Sequence, residues 1–193
     1  FEPFIHELND LLSYNKIFVE RLANVAPVSA ELAISYNLVG PNLRASGVEY
    51  DLRKNRPYSV YGEFEFEVPV GSGEQGAVGD CWDRYMVRTR ECLQACWSLR
   101  QALDQIPEGP VIAKVPRNFK PAAGDAHIRV EGARGDMNWY VASDGSEYPY
   151  RVHIHTGSFA AMSIIEEISA GMMIADLVAI IASLDIVAPE VDR

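Results

Sequence analysis

The feature that most constrains this chain is one long helical pattern between Asp80 and Ile106. Its apolar or small residues recur at alternating spacings of three and four, which places them along one seam of an α-helix. The members of the seam are Trp82, Tyr85, Thr89, Cys92, Cys96, Leu99, Leu103 and Ile106. Asp80 is a suitable N-cap, and Pro107 ends the pattern. Because such a seam needs other helices beside it, the sequence predicts a helical bundle around this element.

Three other segments have helical spacing. The pattern predicts one helix over about residues 4–24, a short helix that begins at Ser29, and a final helix over about residues 175–184. The final helix is apolar nearly all round, which is typical of a helix in the centre of a body. Between the second and third of these, the turn-rich "GPNLRASG" is predicted to be irregular.

Strand patterns occur in two places. The sequence "EFEFEVPV" alternates acidic and apolar residues, which predicts a half-buried strand with its glutamates in solvent, and the glycine-rich residues 71–79 then form a flexible surface loop. After a proline-rich connection, "HIRVEG", "MNWYVAS" and "YRVHIHT" predict three strands. We expect a small antiparallel sheet attached to the helical body.

Length and charge exclude several classes of protein. The chain has 193 residues, of which 48% are hydrophobic, so residues 1–193 are predicted to form one domain. A net charge of −10 argues against nucleic-acid binding, because phosphate recognition needs a basic surface. The longest apolar run, Met172–Leu184, is too short to span a bilayer. The chain opens at Phe1 inside a helical pattern, which indicates the C-terminal part of a longer protein.

The cysteines and histidines leave alternatives open. Three cysteines within residues 81–96 do not make a disulfide framework, which favours a reducing, cytoplasmic-side environment. Cys92 and Cys96 share a helix face and either pack or ligate a metal, but the sequence has no second pair to complete a site. His153 and His155 share one face of the third strand. They form half of a metal site or a polar face that meets water or a partner.

The last nine residues, "DIVAPEVDR", place three acids and an arginine directly after the apolar final helix. If that helix is central, these charges lie near an interior site or an interface, where unpaired charge is costly. The alternative is a solvated C-terminus.

Four stretches together resemble one known family. They are "GPNLRASGVEYDLRKNRPYSVYGEFEFEVPVG", "GDCWDRYMVR", "EGARGDMNWYVASDGSEYPYRVHIH" and "IADLVAIIASLDIVAPEVDR". In this order they resemble the C-terminal half of the hydrogenase-like quinone-site subunit of respiratory complex I, the NADH-quinone oxidoreductase. The resemblance implies a mainly α (α+β) fold, namely a helix bundle of the nickel-iron hydrogenase large-subunit type with a small antiparallel β-sheet.

The resemblance also assigns a former role to the last nine residues, 185–193, which are called the tail below. Nickel-iron hydrogenase large subunits end in Asp-Pro-Cys-x-x-Cys-x-x-His or Arg; here Asp185 takes the aspartate place, Val187 and Glu190 take the cysteine places, and Arg193 takes the last. Nickel-iron centres need soft thiolate ligands. The resemblance therefore implies that this chain binds no metal and that the vacated cavity takes a quinone headgroup, beside an iron-sulfur cluster of a neighbouring subunit.

Candidate residues follow from the same resemblance. Val187 is expected to line the cavity, and the charged residues of the tail are expected to form a network at its edge: Asp185, Glu190, Asp192 and Arg193. A second set is expected to be structural or to tune the neighbouring cluster: Arg44, Asp51, Arg53, Arg84 and Arg88. Of these, Arg84 and Arg88 are one turn apart and could join a network made by the other three. The histidine and tyrosine that bind the headgroup in the family precede this region, so no catalytic residue is assigned and the isolated chain is expected to be inactive.

The implied function is that of a core subunit of a translocase. NADH dehydrogenase activity elsewhere in the respiratory complex would deliver electrons to quinone through iron-sulfur subunits, coupled to ion translocation by membrane subunits. The chain would be a peripheral membrane protein on the cytoplasmic face. The alternatives are a homologous deazaflavin- or ferredoxin-dependent quinone or phenazine oxidoreductase, a group-4 hydrogenase, and a non-catalytic scaffold. The chain departs from the family pattern in two places. It has Ile186 where the family commonly has proline, and it has "HTGS" where the family usually has a basic residue followed by Ala-Pro-Ser.

Overall fold

The computed structural model describes residues 1–192, which contain ten α-helices and one three-stranded sheet. The helices are α1 (Glu2–Leu8), α2 (Lys16–Leu22), α3 (Ala30–Ser35), α4 (Gly40–Ala45), α5 (Leu52–Asn55), α6 (Cys81–Gln105), α7 (Gly157–Ser163), α8 (Ile165–Ser169), α9 (Ile174–Leu184) and α10 (Ala188–Val191). The strands are β1 (Gly124–Gly132), β2 (Gly135–Ser143) and β3 (Arg151–His155). A mainly helical fold with a small antiparallel sheet is confirmed.

The predicted long helix is present as α6. The Asp80 carboxylate accepts a hydrogen bond from the Asp83 amide at 2.9 Å, which caps its first turn. Trp82 is fully buried, whereas Leu99 and Leu103 are exposed. The first half of the apolar seam is therefore mainly buried, whereas Leu99 and Leu103 in its second half are left largely uncovered by the described residues.

The N-terminal helical pattern is interrupted, so the prediction of one continuous helix is wrong. A short π-helix (Asn9–Ser13) follows α1, and α2 begins anew after Asn15. The Asn15 side chain accepts a hydrogen bond from the Ile17 amide at 3.0 Å, which favours a new N-terminus there. The Trp82 indole donates to the Ser13 carbonyl at 3.3 Å, which ties the break to α6.

Two loop and strand predictions also differ from the structure. "GPNLRASG" contains helix α4, because Pro41 occupies its first turn, where proline costs no hydrogen bond. Residues 64–70 follow a short 3₁₀-helix (Tyr61–Glu63), and Phe64 and Phe66 are buried as the alternation indicated, but within the described structure the segment is not part of a sheet. Instead, Gln101 and Gln94 of α6 accept hydrogen bonds from the Glu65 and Glu67 amides.

Helix α9 is only partly central. Ile180 and Leu184 are fully buried in the core beside α6. The opposite side carries Ile174, Val178 and Ile181, which are 89%, 72% and 43% exposed within the part of the chain that the structure describes. The prediction of a helix surrounded on all sides is therefore wrong for these residues, and one apolar face of α9 is uncovered.

The three predicted strands are confirmed and pair in the order β1-β2-β3. One row across the sheet joins Ile128, Trp139 and Ile154, and these apolar side chains share a face. His155 lies on the other face and lines a cleft with residues of the helical body, whereas His153 is exposed.

The turn between β1 and β2 approaches the helical body closely because the residues at the contact are glycines, which have no side chain. Gly40 and Gly135 both have positive φ angles, of 59° and 110°, and a Cβ atom on either would collide with the backbone of the other. A Cβ atom on Gly157, at the start of α7, would lie 2.6 Å from the Arg134 carbonyl oxygen. Three backbone segments therefore meet at Arg134.

A buried charge network joins the same end of the sheet to the helices. Arg44 donates to Glu91 at 2.6 Å and to Glu131 at 2.9 Å, and lies 3.5 Å from Asp51, which also binds Arg53. Burial lowers the pKa of Arg44, but the charges of Glu91 and Glu131 outweigh it and the pKa stands above its ordinary value. Burial raises the pKa of Glu131 above its ordinary value despite Arg44. The expected network of Arg44, Asp51 and Arg53 is thus present, with two further carboxylates.

Replacing Gly135 by alanine should destabilise the fold, because the new Cβ meets backbone atoms that cannot move aside. We expect a loss of about 3 kcal/mol in the free energy of unfolding, measured by urea titration of the purified chain. Gly145→Ala is the matched control, since Gly145 also has a positive φ angle, of 92°, but open space around it. That variant should lose only about 1 kcal/mol. Equal losses in the two variants would contradict the close approach.

Replacing Arg44 by methionine should leave buried carboxylates without a cation. The expected cost is about 3–5 kcal/mol at pH 7. In this variant the pKa of Glu131 rises further, so the folded state binds more protons than the unfolded state and the deficit relative to wild type shrinks as pH falls towards 5. Lys16→Met is the control: Lys16 forms an ion pair with Glu20 but is 87% exposed, and its loss should change stability by less than about 0.5 kcal/mol. A deficit that grows as pH falls would contradict this account.

Candidate functional site at the C-terminal tail

The tail begins with a sharp change of direction at Asp185. This residue ends α9 in the left-handed conformation, with φ 53° and ψ 50°. The chain then passes through Val187 into the short helix α10. Aspartate is one of the few residues with a side chain that adopts this conformation readily. The backbone conformation of Asp185 therefore sets the direction in which the tail leaves α9.

The end of α9 is held by side chains of α4 and α6. The Asn42 amide donates to the Leu184 carbonyl at 3.0 Å, and Arg88 donates to the carbonyls of Ser183 at 2.7 Å and Leu184 at 3.2 Å. Carbonyls in the last turn of a helix lack partners within it and attract cations. These contacts fix the place from which the tail departs.

Arg134 joins two residues of the tail, Asp185 and Glu190. From the β1–β2 turn, its Nε donates to the Asp185 carbonyl at 3.0 Å, and its guanidinium lies 3.4 Å from oxygens of the Asp185 carboxylate. Its Nη1 donates to Glu190 Oε1 at 3.4 Å. One cation thus contacts both acids that the resemblance placed at the former metal site.

Glu190 is also bound from the start of α7. The Ser158 hydroxyl donates to Glu190 Oε2 at 2.5 Å, and the Thr156 hydroxyl donates to the Glu190 carbonyl at 2.8 Å. The Val187 amide donates to Ser158 Oγ at 3.4 Å. The "HTGS" stretch, where the sequence departs from the family pattern, therefore binds the tail directly.

The remaining tail candidates are less engaged. Val187 is half-buried, while the Asp192 side chain is exposed. Arg193 was predicted to complete the tail network, and it lies outside the described residues. The expected network is present for Asp185 and Glu190, and the cation that joins them is Arg134.

Sequence reasoning missed Arg134 as a candidate. The residue stands in the quoted stretch "EGARGD", between small residues that mark a turn. Nothing in that pattern says which part of the chain the turn contacts. The only local signal is a cation beside a glycine, which is too common to indicate a site.

A cleft of about 320 Å³ lies between the tail and the Arg44 network. Its lining residues come from α4 to α6 and the end of β1, and Asp185 closes one side: Arg44, Arg53, Arg88, Glu91, Cys92, Ala95, Glu131, Gly132, Ala133 and Asp185. The Nε of Arg88 is buried, has no hydrogen-bond partner among residues 1–192 and lies 4.0 Å from Asp185 Oδ2. Burial lowers the pKa of Arg88 to about 10, against the opposing charge of Asp185, so Arg88 remains a cation at neutral pH.

Arg84 and Arg88 do not join the Arg44 network, so that expectation is wrong. Arg84 is fully buried and donates to the Ala26 and Gly79 carbonyls, the Ser183 hydroxyl and the Cys81 sulfur. Both arginines donate mainly to backbone carbonyl oxygens, and Arg88 in addition lies 4.0 Å from the Asp185 carboxylate. Their role in the described residues is to connect α6 to the C-terminus of α9.

A second cleft, of about 410 Å³, lies on the other side of α6 and is mainly apolar. It is lined by residues of the N-terminal helices, α6 and α9: Ile5, Leu8, Leu12, Phe18, Leu22, Cys81, Tyr85, Arg88, Thr89, Cys92, Ala179, Ala182 and Ser183. Arg88 and Cys92 therefore line both clefts. Burial raises the pKa of the Cys92 thiol, which makes it a poor thiolate ligand.

Residues 1–192 contain neither a cluster of metal ligands nor a helix suited to a membrane. No group of three or more His, Cys, Asp or Glu side chains among them is placed to hold a metal ion. Within the same residues, none of the helices combines the length and apolar character needed to cross a membrane.

Comparison with known proteins gives the family. The family described as "Respiratory-chain NADH dehydrogenase, 49 Kd subunit" matches residues 1–122 and 113–193. The second D-type subunit of the NADH-quinone oxidoreductase of Anaeromyxobacter dehalogenans is 56% identical over 193 residues, which are 100% of this chain and 51% of that protein. The D-type subunit of Desulforamulus reducens is 52% identical over 188 residues, 97% of this chain and 50% of the relative.

A more distant relative agrees. The D-type subunit of the NADH-quinone oxidoreductase of Bacillus thuringiensis is 45% identical over 197 residues, which are 100% of this chain and 52% of that protein. The chain spans about half the length of the curated relatives it matches, and it corresponds to their C-terminal part. The resemblance found in the sequence is thereby confirmed, and the chain belongs to the family of the 49 kDa subunit of respiratory-chain NADH dehydrogenase.

Proposed function

We propose that this chain forms the tail side of the quinone-reduction site in an NADH-quinone oxidoreductase. The observation that carries the proposal is the convergence of Asp185, which lines a cleft, and Glu190 on the guanidinium of Arg134. These acids occupy, by the hydrogenase resemblance, the place of the aspartate and of one thiolate of a former metal site. A body of the hydrogenase large-subunit type would bring this tail to the cavity that the metal vacated.

The chemistry of the tail suits a quinone better than a metal. Quinone reduction takes two electrons and two protons and develops negative charge on the ring oxygens. Carboxylates and a guanidinium at the cavity edge can supply protons and stabilise that charge. Val187 has no donor atom for nickel, and both carboxylate oxygens of Glu190 are already hydrogen-bonded, to Arg134 and Ser158. A group-4 hydrogenase activity is therefore disfavoured.

In this proposal the electrons come from outside the chain. They arrive from an iron-sulfur cluster in a neighbouring subunit, and a flavin-bearing NADH module supplies that cluster in turn. The names of the relatives favour NADH over a deazaflavin or ferredoxin donor. The reaction is coupled to ion translocation by membrane subunits, with this chain peripheral on the cytoplasmic face.

The uncovered apolar surfaces support a role inside a larger assembly. Ile174, Val178 and Ile181 expose one face of α9, and the apolar cleft opens beside the same helix. Contiguous exposed apolar surface marks a contact site. We propose that this apolar surface is covered by the part of the subunit that the relatives have and that this chain does not span. The isolated chain therefore lacks part of the site and should be inactive alone.

A photoreactive quinone should label the tail of the assembled complex. We expect crosslinks within residues 185–192, reduced by an excess of unmodified quinone, when the labelled protein is digested and analysed by mass spectrometry. The exposed turn at residues 144–150 is the internal control and should carry no label that unmodified quinone displaces. Competed label on the turn, with none on the tail, would favour a scaffold role.

Asp185→Asn should lower quinone reduction in the assembled complex, because the amide keeps the shape of the side chain but not its charge or proton. We expect kcat to fall by about tenfold to a hundredfold. NADH oxidation by ferricyanide, which bypasses the quinone, should not change. Glu167→Gln, an exposed acid on α8, is the matched control and should leave both rates at the wild-type level. Wild-type quinone reduction by Asp185→Asn would remove the main support for this site.

A further inference from the structure

We propose that Arg134 is a positioning residue for quinone reduction, which acts by holding Asp185 and Glu190 at fixed places beside the cleft. The inference rests on the proposed function. Arg134 is 51 and 56 residues away from these acids in the sequence and belongs to a different element. Its contacts are therefore made by the fold rather than by local chain geometry.

The shape of the guanidinium explains how one residue reaches both acids. Nε donates to the Asp185 carbonyl at 3.0 Å, Nη2 points to the Asp185 carboxylate at 3.4 Å, and Nη1 points to Glu190 at 3.4 Å. A planar fork offers donors in several fixed directions, whereas the single ammonium of lysine cannot serve both acids equally well. The tail is thus bridged across the turn between α9 and α10.

The position of Arg134 is itself determined by the backbone. Gly135 contacts Gly40 at the start of α4, and the Arg134 carbonyl approaches Gly157 at the start of α7. These contacts leave no room for the β1–β2 turn to shift towards the body. The guanidinium of Arg134 therefore extends from a backbone segment that is held in place.

The ion pairs of Arg134 contribute little to stability. Its side chain is 30% exposed, and the Asp185 side chain is 40% exposed. Partly exposed pairs at these distances are weak because water screens them. We therefore expect the loss of Arg134 to change the geometry of the tail more than the stability of the fold.

A second cation would attract Asp185 if Arg134 were lost. Within the part of the chain that the structure describes, the buried Nε of Arg88 donates no hydrogen bond, and it lies 4.0 Å from Asp185 Oδ2. Without Arg134, the carboxylate can close on Arg88 by about an ångström, to an ordinary hydrogen-bond distance. Of its contacts with the described residues, the Glu190 carboxylate would then keep the hydrogen bond from Ser158. Displacements of this size at a reacting centre lower rates by about a hundredfold.

The test uses Arg134→Gln and Arg134→Lys in the full-length protein within the assembled complex. We expect Arg134→Gln to lower kcat/KM for a short-chain quinone by about tenfold to a hundredfold, and Arg134→Lys to retain an intermediate value. Ferricyanide reduction by NADH should stay at the wild-type rate in both. Arg90→Ala is the matched control: it removes another partly exposed arginine-glutamate pair, with Glu74, away from the tail, and should change nothing.

Two further measurements separate positioning from a merely structural role. Guanidinium chloride at millimolar concentration should restore part of the activity of Arg134→Ala, whereas equal urea should not. The double variant Arg134→Gln/Asp185→Asn should be little slower than Asp185→Asn alone, because Arg134 acts through the carboxylates. Losses that multiply, or wild-type activity in Arg134→Gln, would overturn the inference. If Asp185→Asn itself keeps full activity, the proposed function fails first and the inference fails with it.

Discussion

The close approach of two glycine backbones, Gly40 at the start of α4 and Gly135 after the β1–β2 turn, sets the arrangement of this protein. This contact fixes the β1–β2 turn against the helical body, and the buried pair of Arg44 and Glu131 joins the same end of the sheet to the helices. With it, Arg134 is presented to the tail and Glu131 reaches the guanidinium of Arg44. Both charged regions that border the cleft therefore depend on the absence of a side chain at two positions.

The buried arginines divide by the kind of partner they have. Arg44 is surrounded by carboxylates, so its charge is balanced within the fold. Arg84 and Arg88 bind mainly carbonyl oxygens, so their charge is balanced by the dipoles of helix and loop ends. The first set joins the sheet to the helices, and the second joins α6 to α9. The cleft beside Asp185 lies where these two sets meet.

Elements with a strong local period could be predicted from the sequence. The seam of α6, the apolar run of α9 and the alternation in the three strands each belong to one continuous stretch, and all are present. The predictions that were wrong concern segments whose structure depends on contacts between residues far apart in the sequence. Gln101 and Gln94 accept the hydrogen bonds of the Glu65 and Glu67 amides in place of a neighbouring strand, and the Trp82 indole binds at the break between the N-terminal helices. The same limit applies to the site: the tail acids were identified from the resemblance, but the turn that contacts them was not.

Much of what anchors the tail is backbone. Arg134 binds the carbonyl of Asp185, Thr156 binds the carbonyl of Glu190, Asn42 and Arg88 bind that of Leu184, and Ser158 accepts from the amide of Val187. These bonds would survive many changes of side chain at positions 187 and 190. A scaffold of this kind would keep the path of the chain the same while the side chains at these positions change. The tail can thus acquire new chemistry without a new fold.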